Sequence, residues 1–354
     1  MSEAPASNQP AAPAAEGTDR AASKRPKTLS RLWTILFLLL GFGLMAGVFV
    51  YQDMGEVAKA IASVGWGLVA LTAFHLVPLA VDTIGIHNIV PPGYRVGFLR
   101  LVGILWVGES INQLLPVGQI GGEFIKTRLL LLCKLPPVQA GATIVVNLTL
   151  GVFTQGLFAI VGIVILVLNY DEGGDATTYA AAGAGVILGG VALFYLAQRI
   201  GLFRLISRFV NLVASGKDWL SVVGGAHAID NSVAEIWRNR RAVLRSIWWQ
   251  FLAWVLGTGE VLLAMHFMGR EIGILEATMM ESLGQAVRSA AFLVPASLGV
   301  QEGGYVLLAT AIGLSPETGL VLSLVKRVRE LALGVPGLLA WQFVEGRRWL
   351  LLRR

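Results

Sequence analysis

The chain has 354 residues, of which 55% are hydrophobic and only 14% are charged. Because an average soluble domain carries about 25% charged residues, this composition excludes a soluble globular protein and indicates a membrane protein. The net charge of +6 does not indicate a nucleic-acid partner, since the Lys and Arg residues lie beside apolar spans, and the lone Cys133 excludes an intramolecular disulfide.

The N-terminal residues 1–30 are rich in Ala, Pro and Ser and have too few apolar residues to fold. Their basic end leads into the apolar residues 32–51, which are too many for a signal-peptide core and have no clear small-residue cleavage site after them. We therefore predict a disordered cytoplasmic tail and a retained first membrane helix. The membrane domain is predicted over residues 31–346, followed by a basic cytoplasmic C-terminus, residues 347–354.

In the first half, two short apolar segments follow a predicted span at residues 67–90. They are interrupted by Pro-Val-Gly and Gly-Gly, and basic residues flank them. Since each segment is shorter than the roughly 20 residues that a spanning helix needs, we predict a re-entrant hairpin over residues 101–133 that enters from the cytoplasm. Residues 138–168 then cross outward, and residues 177–197 cross back.

The second half repeats this order after a basic segment, residues 199–245, whose apolar positions recur at helical spacing. This pattern predicts an amphipathic helix on the cytoplasmic surface. Residues 247–268 are predicted to cross outward, and residues 272–313 to form a second broken hairpin that enters from the exterior. Residues 319–344 then return to the cytoplasm.

The two broken hairpins carry the same motif. Glu109-Ser-Ile-Asn-Gln is echoed by Glu281-Ser-Leu-Gly-Gln. In each copy a proline follows, and a glutamate lies seven positions after it (Pro116 and Glu123; Pro295 and Glu302). Polar, broken segments at matching places in two halves are typical of transporters with inverted repeats. The sequence thus predicts an all-α polytopic membrane protein, an inverted repeat with two re-entrant helical hairpins. The alternative is that all four segments cross the membrane fully.

Four charged residues lie within the last predicted span: Lys326, Arg327, Arg329 and Glu330. On a helix their side chains cover an arc of roughly 160°, so they face protein or an aqueous cavity rather than acyl chains. Since a central charge costs about 2.5–3.5 kcal/mol even on a lenient scale, the four need a compensating role. Lys326 and Glu330 are four residues apart and are predicted to pair. The two arginines then require carboxylates or a ligand.

The sequence offers a larger set of groups to line a polar cavity for a lipid headgroup. From the cytoplasmic side the set comprises Glu109, Asn112, Gln113, Glu123, Lys126 and Arg128, and from outside Glu281, Gln285, Arg288 and Glu302. The central wall comprises Lys326, Arg327, Arg329 and Glu330, and the helices are predicted to break at Pro116, Gly118, Gly121, Gly122, Pro295 and Gly299. The alternative is a salt-bridge network that only fixes helix packing. Under the first interpretation, Arg329→Leu abolishes transport and leaves the protein folded.

Further polar residues lie in other spans. Asp82 and His75 are seven residues apart on one helix face, which predicts either a proton relay or a hydrogen-bonded packing pair. Contacts between helices are predicted for Asn147, Gln155, Gln250 and Glu260. The sequence has no metal-ligand spacing, nucleotide-binding motif or nucleophile cluster, so we expect no metal, no cofactor and no enzymatic activity.

The stretch from Glu109 to Arg128 resembles the signature of the lysylphosphatidylglycerol synthase transmembrane region, or flippase-like domain, family. Pro295-Ala-Ser-Leu-Gly-Val-Gln-Glu-Gly-Gly resembles its second signature. The resemblance covers residues 32–344, and the length and tail resemble the hopanoid-associated branch. It implies a bacterial inner-membrane protein, a flippase that moves a phospholipid, an aminoacyl-phospholipid or a hopanoid between leaflets. Bifunctional relatives carry a soluble aminoacyl-transferring domain after the membrane part; this chain stops at Arg354, so that activity is not expected.

Two other classes stay open at this point. One is a noncatalytic membrane partner of an envelope-lipid (hopanoid) biosynthesis complex, recruited through residues 199–245. The other is an intramembrane enzyme that modifies a lipid, against which the sequence lacks a nucleophile cluster or a paired-Asp metal motif. Membrane lipid is therefore the expected substrate, and lipid-biosynthesis proteins are the alternative partners.

Overall fold

The computed structural model describes residues 64–94, 96–115, 121–170, 219–290 and 299–351, and the single residues 62 and 297. Within these residues it contains nine α-helices and no β-strand, which confirms the all-α class. In chain order the helices are α1 Gly67–Ile89, α2 Phe98–Leu114, α3 Gly121–Leu132, α4 Pro137–Tyr170, α5 Trp219–Arg238, α6 Arg240–Phe267, α7 Ile274–Ala290, α8 Val300–Ala311 and α9 Pro316–Leu351. The tail, the spans predicted at residues 32–51 and 177–197, and the predicted breaks at Pro116, Gly118 and Pro295 lie outside the described residues.

Three of the described helices are long and apolar enough to cross a membrane: α1, residues Pro137–Asn169 of α4, and α6. The helix α9 is longer, at 36 residues, but its four central charges interrupt the apolar sequence. By contrast, α3 and α8 have 12 residues each, which is about 18 Å of helix against the ~30 Å of a hydrocarbon core. The described helices therefore include both long apolar spans and the half-length segments that the sequence predicts.

The basic segment predicted over residues 199–245 extends into α6. This helix begins at Arg240 and is capped by the side chain of Asn239. Val233 and Ile236, on the apolar face of α5, are buried in a hydrophobic core, and α5 packs against α4. That the segment lies on the cytoplasmic surface stays a prediction. An amphipathic pattern shows that one face of a helix is apolar, and it does not show whether lipid or protein covers that face.

The first broken pair is a helical hairpin. α2 and α3 run antiparallel, and the Asn112 side chain accepts a hydrogen bond from the backbone N–H of Gly122 (2.7 Å) and donates one to Glu123 (3.3 Å). The glycine permits this close approach, because a Cβ on Gly122 would overlap the carbonyl oxygen of Gly108. In the second broken pair, α7 and α8 likewise pack against each other.

The helices α3 and α8 have the same length and end in the same way. Each is followed by a left-handed residue, Lys134 (φ 65°) after α3 and Gly313 (φ 78°), 179 positions later, after α8. In both turns the next residue is a leucine whose N–H donates to the carbonyl five positions earlier, as in a Schellman motif. Leu135 donates to Leu130 at 3.3 Å, and Leu314 donates to Ala309 at 2.9 Å. A proline then begins the next helix, Pro137 in α4 and Pro316 in α9. The motif repeat of the sequence is thus also a repeat of backbone structure.

The packing of the helices follows the same repeat. α2 contacts α3 and α9, and its counterpart α7 contacts α8 and α4. The two halves meet along α1 and α6, which run antiparallel, since Gly67 faces Phe267 whereas Gly85 faces Gln250. An antiparallel central pair is compatible with the predicted inverted repeat. The side of the membrane from which each hairpin enters stays a prediction.

The apolar core consists of two clusters. One contains residues of α2, α3 and α5, and the other contains residues of α7 and α8. Along α1, Leu71 belongs to the second cluster and Leu79 to the first; along α9, Val325 belongs to the second and Leu338 to the first. The charged stretch of α9 therefore lies between two apolar clusters.

Gly122→Ala tests the close approach of α2 and α3. A Cβ at this position would overlap a backbone carbonyl oxygen, which has no rotamer to move to. We expect the variant to lose about 1–3 kcal/mol of stability, seen as a lower unfolding temperature of the purified protein in lipid nanodiscs. The control is Gly103→Ala in α2, where a Cβ has no neighbour within 4 Å; we expect it to be neutral or stabilising by up to ~1 kcal/mol. Equal unfolding temperatures for the two variants would contradict the hairpin.

Candidate functional site

The four charged side chains near the centre of α9 are buried. The exposed fractions of Lys326, Arg327 and Arg329 are 2% each, and that of Glu330 is 0%. Each meets a group of opposite charge from α6, α7 or α8. In the described part of the chain these four groups and their partners thus form an ion-pair network, and the four groups of α9 are its buried members. That a lipid headgroup enters the network stays a prediction.

Lys326 pairs across helices rather than along its own. Its Nζ lies 2.5 Å from Glu281 Oε2 of α7 and 5.8 Å from the centre of the Tyr305 ring of α8. The predicted pair with Glu330 is wrong, because the Glu330 carboxylate is bound by Arg288 of α7. Spacing along one helix favours the local pair. In the structure Glu330 is engaged by Arg288 and lies 3.9 Å from Arg327, and Lys326 pairs with Glu281 across the helix interface.

Arg327 connects the network to the second broken hairpin. Its Nη2 lies 2.7 Å from Glu302 Oε1, and the other oxygen of Glu302 accepts a hydrogen bond from the backbone N–H of Gly299 at 2.7 Å. Gly299 has φ 77°, a left-handed conformation that glycine adopts without strain. The glycine at the start of α8 therefore holds a carboxylate of the network in place.

Arg329 begins a chain of hydrogen bonds through three other helices. Its Nε donates to Glu260 Oε1 of α6 at 2.7 Å, and Glu260 Oε2 lies 3.0 Å from His75 Nδ1 of α1. His75 Nε2 in turn lies 3.1 Å from Glu109 Oε1 of α2. Arg329→Leu would deprive the buried Glu260 of its guanidinium partner, so we expect this variant to lose stability, contrary to the expectation from the sequence.

Glu260 joins the network, although its sequence pattern predicted only an ordinary contact between helices. The signal that identifies it is isolation, since residues 247–267 contain no other Asp, Glu, Lys or Arg. A lone carboxylate in an apolar helix needs a cation from another helix. Arg329 is that cation.

The repeated motif makes the same local bond in both hairpins. Gln113 Nε2 donates to Glu109 Oε1 at 2.6 Å, and Gln285 Nε2 donates to Glu281 Oε1 at 2.9 Å. In each case the glutamate also contacts a basic side chain of another helix. The glutamine therefore orients the carboxylate toward that partner, and the two copies of the motif have the same structural role.

The helix α3 of the first hairpin contributes a separate pair. Lys126 Nζ lies 2.7 Å from Glu123 Oε1, and Asn112 donates to the same oxygen. Arg128 does not join them: it pairs with Glu345 of α9, and 46% of its side chain is exposed. Positions 126 and 128 point to different sides of a helix, about 200° apart. Arg128 thus lies apart from the other predicted cavity residues.

His75 and Asp82 do not form the predicted hydrogen-bonded pair. Both ring nitrogens of His75 are engaged, one by Glu109 and the other by Glu260. Asp82 lies two turns further along α1, where Lys126 attracts its carboxylate electrostatically. A hydrogen-bonded path through His75 therefore runs through two glutamates and not through Asp82.

The other polar contacts predicted between helices are present. Gln250 Nε2 donates to Asn147 Oδ1 at 3.0 Å, which connects α6 to α4. Gln155 Nε2 donates to the backbone carbonyl of Gln285 at 3.2 Å, which connects α4 to α7. These contacts hold α4 against the second half of the protein and lie outside the ion-pair network.

An apolar cavity of about 380 Å³ lies beside the network, between α1 and α9. Its walls are formed by Leu68, Val69, Thr72, Ala73, Leu76, Val328, Ala332 and Leu333. Thr72 and Leu76 lie within one turn of His75, so the cavity adjoins the network. Its lining residues carry no charge, and it is therefore not the predicted headgroup cavity.

Comparison with known proteins identifies relatives of the chain. The sequence model of the family described as lysylphosphatidylglycerol synthase TM region matches residues 37–337. The chain is also 24% identical over 246 residues to a UPF0104 membrane protein of Methanothermobacter thermautotrophicus, which covers 66% of this chain and 71% of that protein. No solved structure matches the chain significantly. The matched region of the family model includes all four charged residues of α9 and their partners.

Glu281→Leu tests whether Lys326 depends on its partner. We expect this variant to lose about 3–5 kcal/mol of stability, because Lys326 is then buried without a carboxylate. The double variant Glu281→Leu/Lys326→Met removes both charges and should recover most of the loss, which unfolding in nanodiscs would show. Arg128→Ala, at the exposed pair with Glu345, is the control and should cost at most about 1 kcal/mol. If the double variant is as unstable as the single one, the pair does not form.

Proposed function

Since the chain belongs to the lysylphosphatidylglycerol synthase TM region family, we propose that it moves a lipid with a polar headgroup between the two leaflets of its membrane. The observation that carries this proposal is the ion-pair network of α9, which lies between two apolar clusters and contacts the second broken hairpin directly. Charges in such surroundings are characteristic of ion and substrate pathways in membrane proteins.

In this proposal a headgroup enters the network by exchange of partners. Because each of the four central charges of α9 already has a partner, a lipid phosphate would replace a carboxylate at an arginine, and a cationic headgroup would replace a Lys or Arg at a glutamate. Guanidinium suits such exchange, since it binds carboxylate and phosphate through the same fork of N–H groups. The side chain that receives the headgroup thereby keeps a partner of opposite charge, and the group that it releases pairs with the other charge of the headgroup or with water.

The two broken hairpins are the moving parts of the proposed transporter. If they enter from opposite sides, as in an inverted repeat, opening one hairpin while the other stays closed gives the leaflets access in turn. The equal lengths of α3 and α8 and their matching C-terminal turns support the repeat. The sequence contains no nucleotide-binding motif, so we propose facilitated or ion-coupled movement without catalysis.

The family and the apolar helices identify a membrane protein. We propose further that it lies in a bacterial inner membrane with both termini in the cytoplasm, and that its substrate is a phospholipid, an aminoacyl-phospholipid or a hopanoid. Basic residues at 20–31, 238–245 and 347–354 support this orientation. Membership of the hopanoid-associated branch stays a prediction from the sequence.

A noncatalytic partner of a lipid-biosynthesis complex is the second candidate. The observation in its favour is that each of the four central charges of α9 (Lys326, Arg327, Arg329 and Glu330) is paired and buried in this structure. A network that only fixes the helices would have the same contacts. The two candidates differ in one requirement: a transporter needs these charges for lipid movement even when the protein is folded, whereas a structural network does not.

The double variant Glu281→Leu/Lys326→Met separates the two candidates. It removes an ion pair together with both charges, so we expect it to stay folded. If the network accepts the headgroup, lipid movement falls at least about tenfold, equivalent to ~1.4 kcal/mol in the barrier. The assay is the rate at which external dithionite quenches NBD-labelled phosphatidylglycerol, phosphatidylethanolamine and lysylphosphatidylglycerol in proteoliposomes.

Arg128→Ala/Glu345→Ala is the matched control, because it removes an exposed pair outside the network and should leave the rates unchanged. A folded Glu281→Leu/Lys326→Met protein that moves lipid at the wild-type rate would contradict a transport role for this pair and favour a structural one. Mass spectrometry of lipids that co-purify with the wild type and the double variant then identifies the substrate class. A lipid class that is enriched over the bulk membrane with the wild type, but not with the double variant, would be the substrate class.

A further inference from the structure

Both ring nitrogens of His75 face carboxylate oxygens. Nδ1 lies 3.0 Å from Glu260 Oε2, and Nε2 lies 3.1 Å from Glu109 Oε1. An ionised carboxylate only accepts hydrogen bonds, and a neutral imidazole donates from one nitrogen only. A neutral His75 between two ionised glutamates would thus direct a lone pair at an oxygen. The geometry requires one further proton in this triad, defined as Glu109, His75 and Glu260.

The other contacts of the triad place that proton on the imidazole. Glu109 Oε1, the oxygen that faces His75, also accepts from Gln113 Nε2 at 2.6 Å. Glu260 accepts at its other oxygen from Arg329 Nε at 2.7 Å. Both carboxylates are therefore arranged as acceptors, and His75 is arranged as a donor at both nitrogens. With His75 protonated, its charge and that of Arg329 balance the two carboxylates.

The second hairpin shows what is particular about this position. Its glutamate makes the same bond to the glutamine four residues later, but the cation it meets is Lys326 rather than a histidine. An ammonium group stays charged at physiological pH, whereas an imidazole gains and loses its proton near neutral pH. Of the two repeated motifs, the first therefore faces a cation that can be discharged.

The charged groups around His75 come from three other helices. They are Glu109 of α2, Glu260 of α6 and Arg329 of α9. Lys126 of α3 lies near Glu109 and near Asp82, which is two turns further along α1. The remaining helix that packs against α1, α4, contains no Asp, Glu, Lys, Arg or His. Loss of one proton from the triad would add one uncompensated negative charge to these groups.

We propose that His75 is a proton-binding site that couples lipid movement to a proton, an inference that rests on the proposed function. The proton leaves Nε2 and is taken up by Glu109 Oε1, because the Glu109 side chain is 31% exposed whereas that of Glu260 is 2% exposed and is fixed by Arg329. Glu109 then passes the proton to water. Neutral His75 keeps its Nδ1–H bond to Glu260 and loses its donor toward Glu109, so α2 is released from α1 and the first hairpin can open.

The protonation of His75 can be measured without transport. The chain has four histidines, so ¹⁵N-histidine NMR of the full protein in nanodiscs gives few ring signals, and His75→Gln assigns the one in question. We expect both nitrogens of His75 to be protonated at neutral pH and Nε2 to be the first to lose its proton on alkalinisation. Resonances of a neutral imidazole at neutral pH would overturn the proposal.

Coupling is tested by NBD-phosphatidylglycerol movement in proteoliposomes across a range of pH. Beyond the pKa of a single titrating group, the population of its minor protonation state changes about tenfold per pH unit. We therefore expect the wild-type rate to change by about tenfold per pH unit in that range, and the rate of His75→Gln by less than about twofold. His75→Lys keeps the charge, cannot release it near neutral pH, and should also be insensitive to pH. His87→Gln, at an exposed histidine of the same helix, should behave as the wild type.

Identical pH profiles for the wild type and His75→Gln would overturn the coupling. If the wild type moves none of the labelled lipids at any pH, the proposed function fails, whereas the NMR measurement still decides whether His75 binds the proton. The two failures are therefore distinguishable. A protonated His75 together with a pH dependence that only the two His75 variants lose would support the proposal.

Discussion

The charges of α9 lie between two apolar clusters, where an ion without a partner costs several kcal/mol. Three of the described helices supply groups of opposite charge that offset this cost. α6 supplies Glu260, α7 supplies Glu281 and Arg288, and α8 supplies Glu302. The partners must also be fixed in position, since a mobile one would pair only part of the time. The left-handed Gly299, which donates its N–H to Glu302, shows how a helix break serves this purpose.

The two halves match in the lengths and C-terminal turns of α3 and α8 but differ in their charges. α4, the counterpart of α9, contains no Asp, Glu, Lys or Arg, and where α9 has Lys326, α4 has Asn147 at the position 179 residues earlier. Asn147 needs only an amide partner, which it finds in Gln250. The first half therefore reaches the network indirectly, through Glu109 and His75. Among the described residues, the two halves therefore contribute to one shared network of charges.

The sequence predicts the helices better than it predicts their contacts. The bounds of α1, predicted at residues 67–90, lie within one residue of the prediction, because a glycine and two prolines mark them. For Lys326 the spacing along the helix predicts Glu330 as the partner. The structure pairs it with Glu281, because the second hairpin brings this carboxylate, distant in sequence, next to Lys326. The sequence does not predict that Glu260 belongs to the network for the same reason, since its partner Arg329 is 69 residues away. Most residues of the predicted cavity do meet, but as ion pairs.

A network of ion pairs tolerates exchange of a partner far better than its removal. A buried pair is close to neutral in net free energy, while breaking it leaves an uncompensated charge. The pairs of the network differ in exposure: Arg288 and Glu302 are 14% and 19% exposed, whereas Lys326 and Glu281 are 2% and 4% exposed. Under the proposed exchange, a headgroup would therefore reach the exposed pairs before the enclosed one. The enclosed pair would thus be exchanged last and control the rate at which a headgroup passes, whereas the edge pairs would select which headgroup enters.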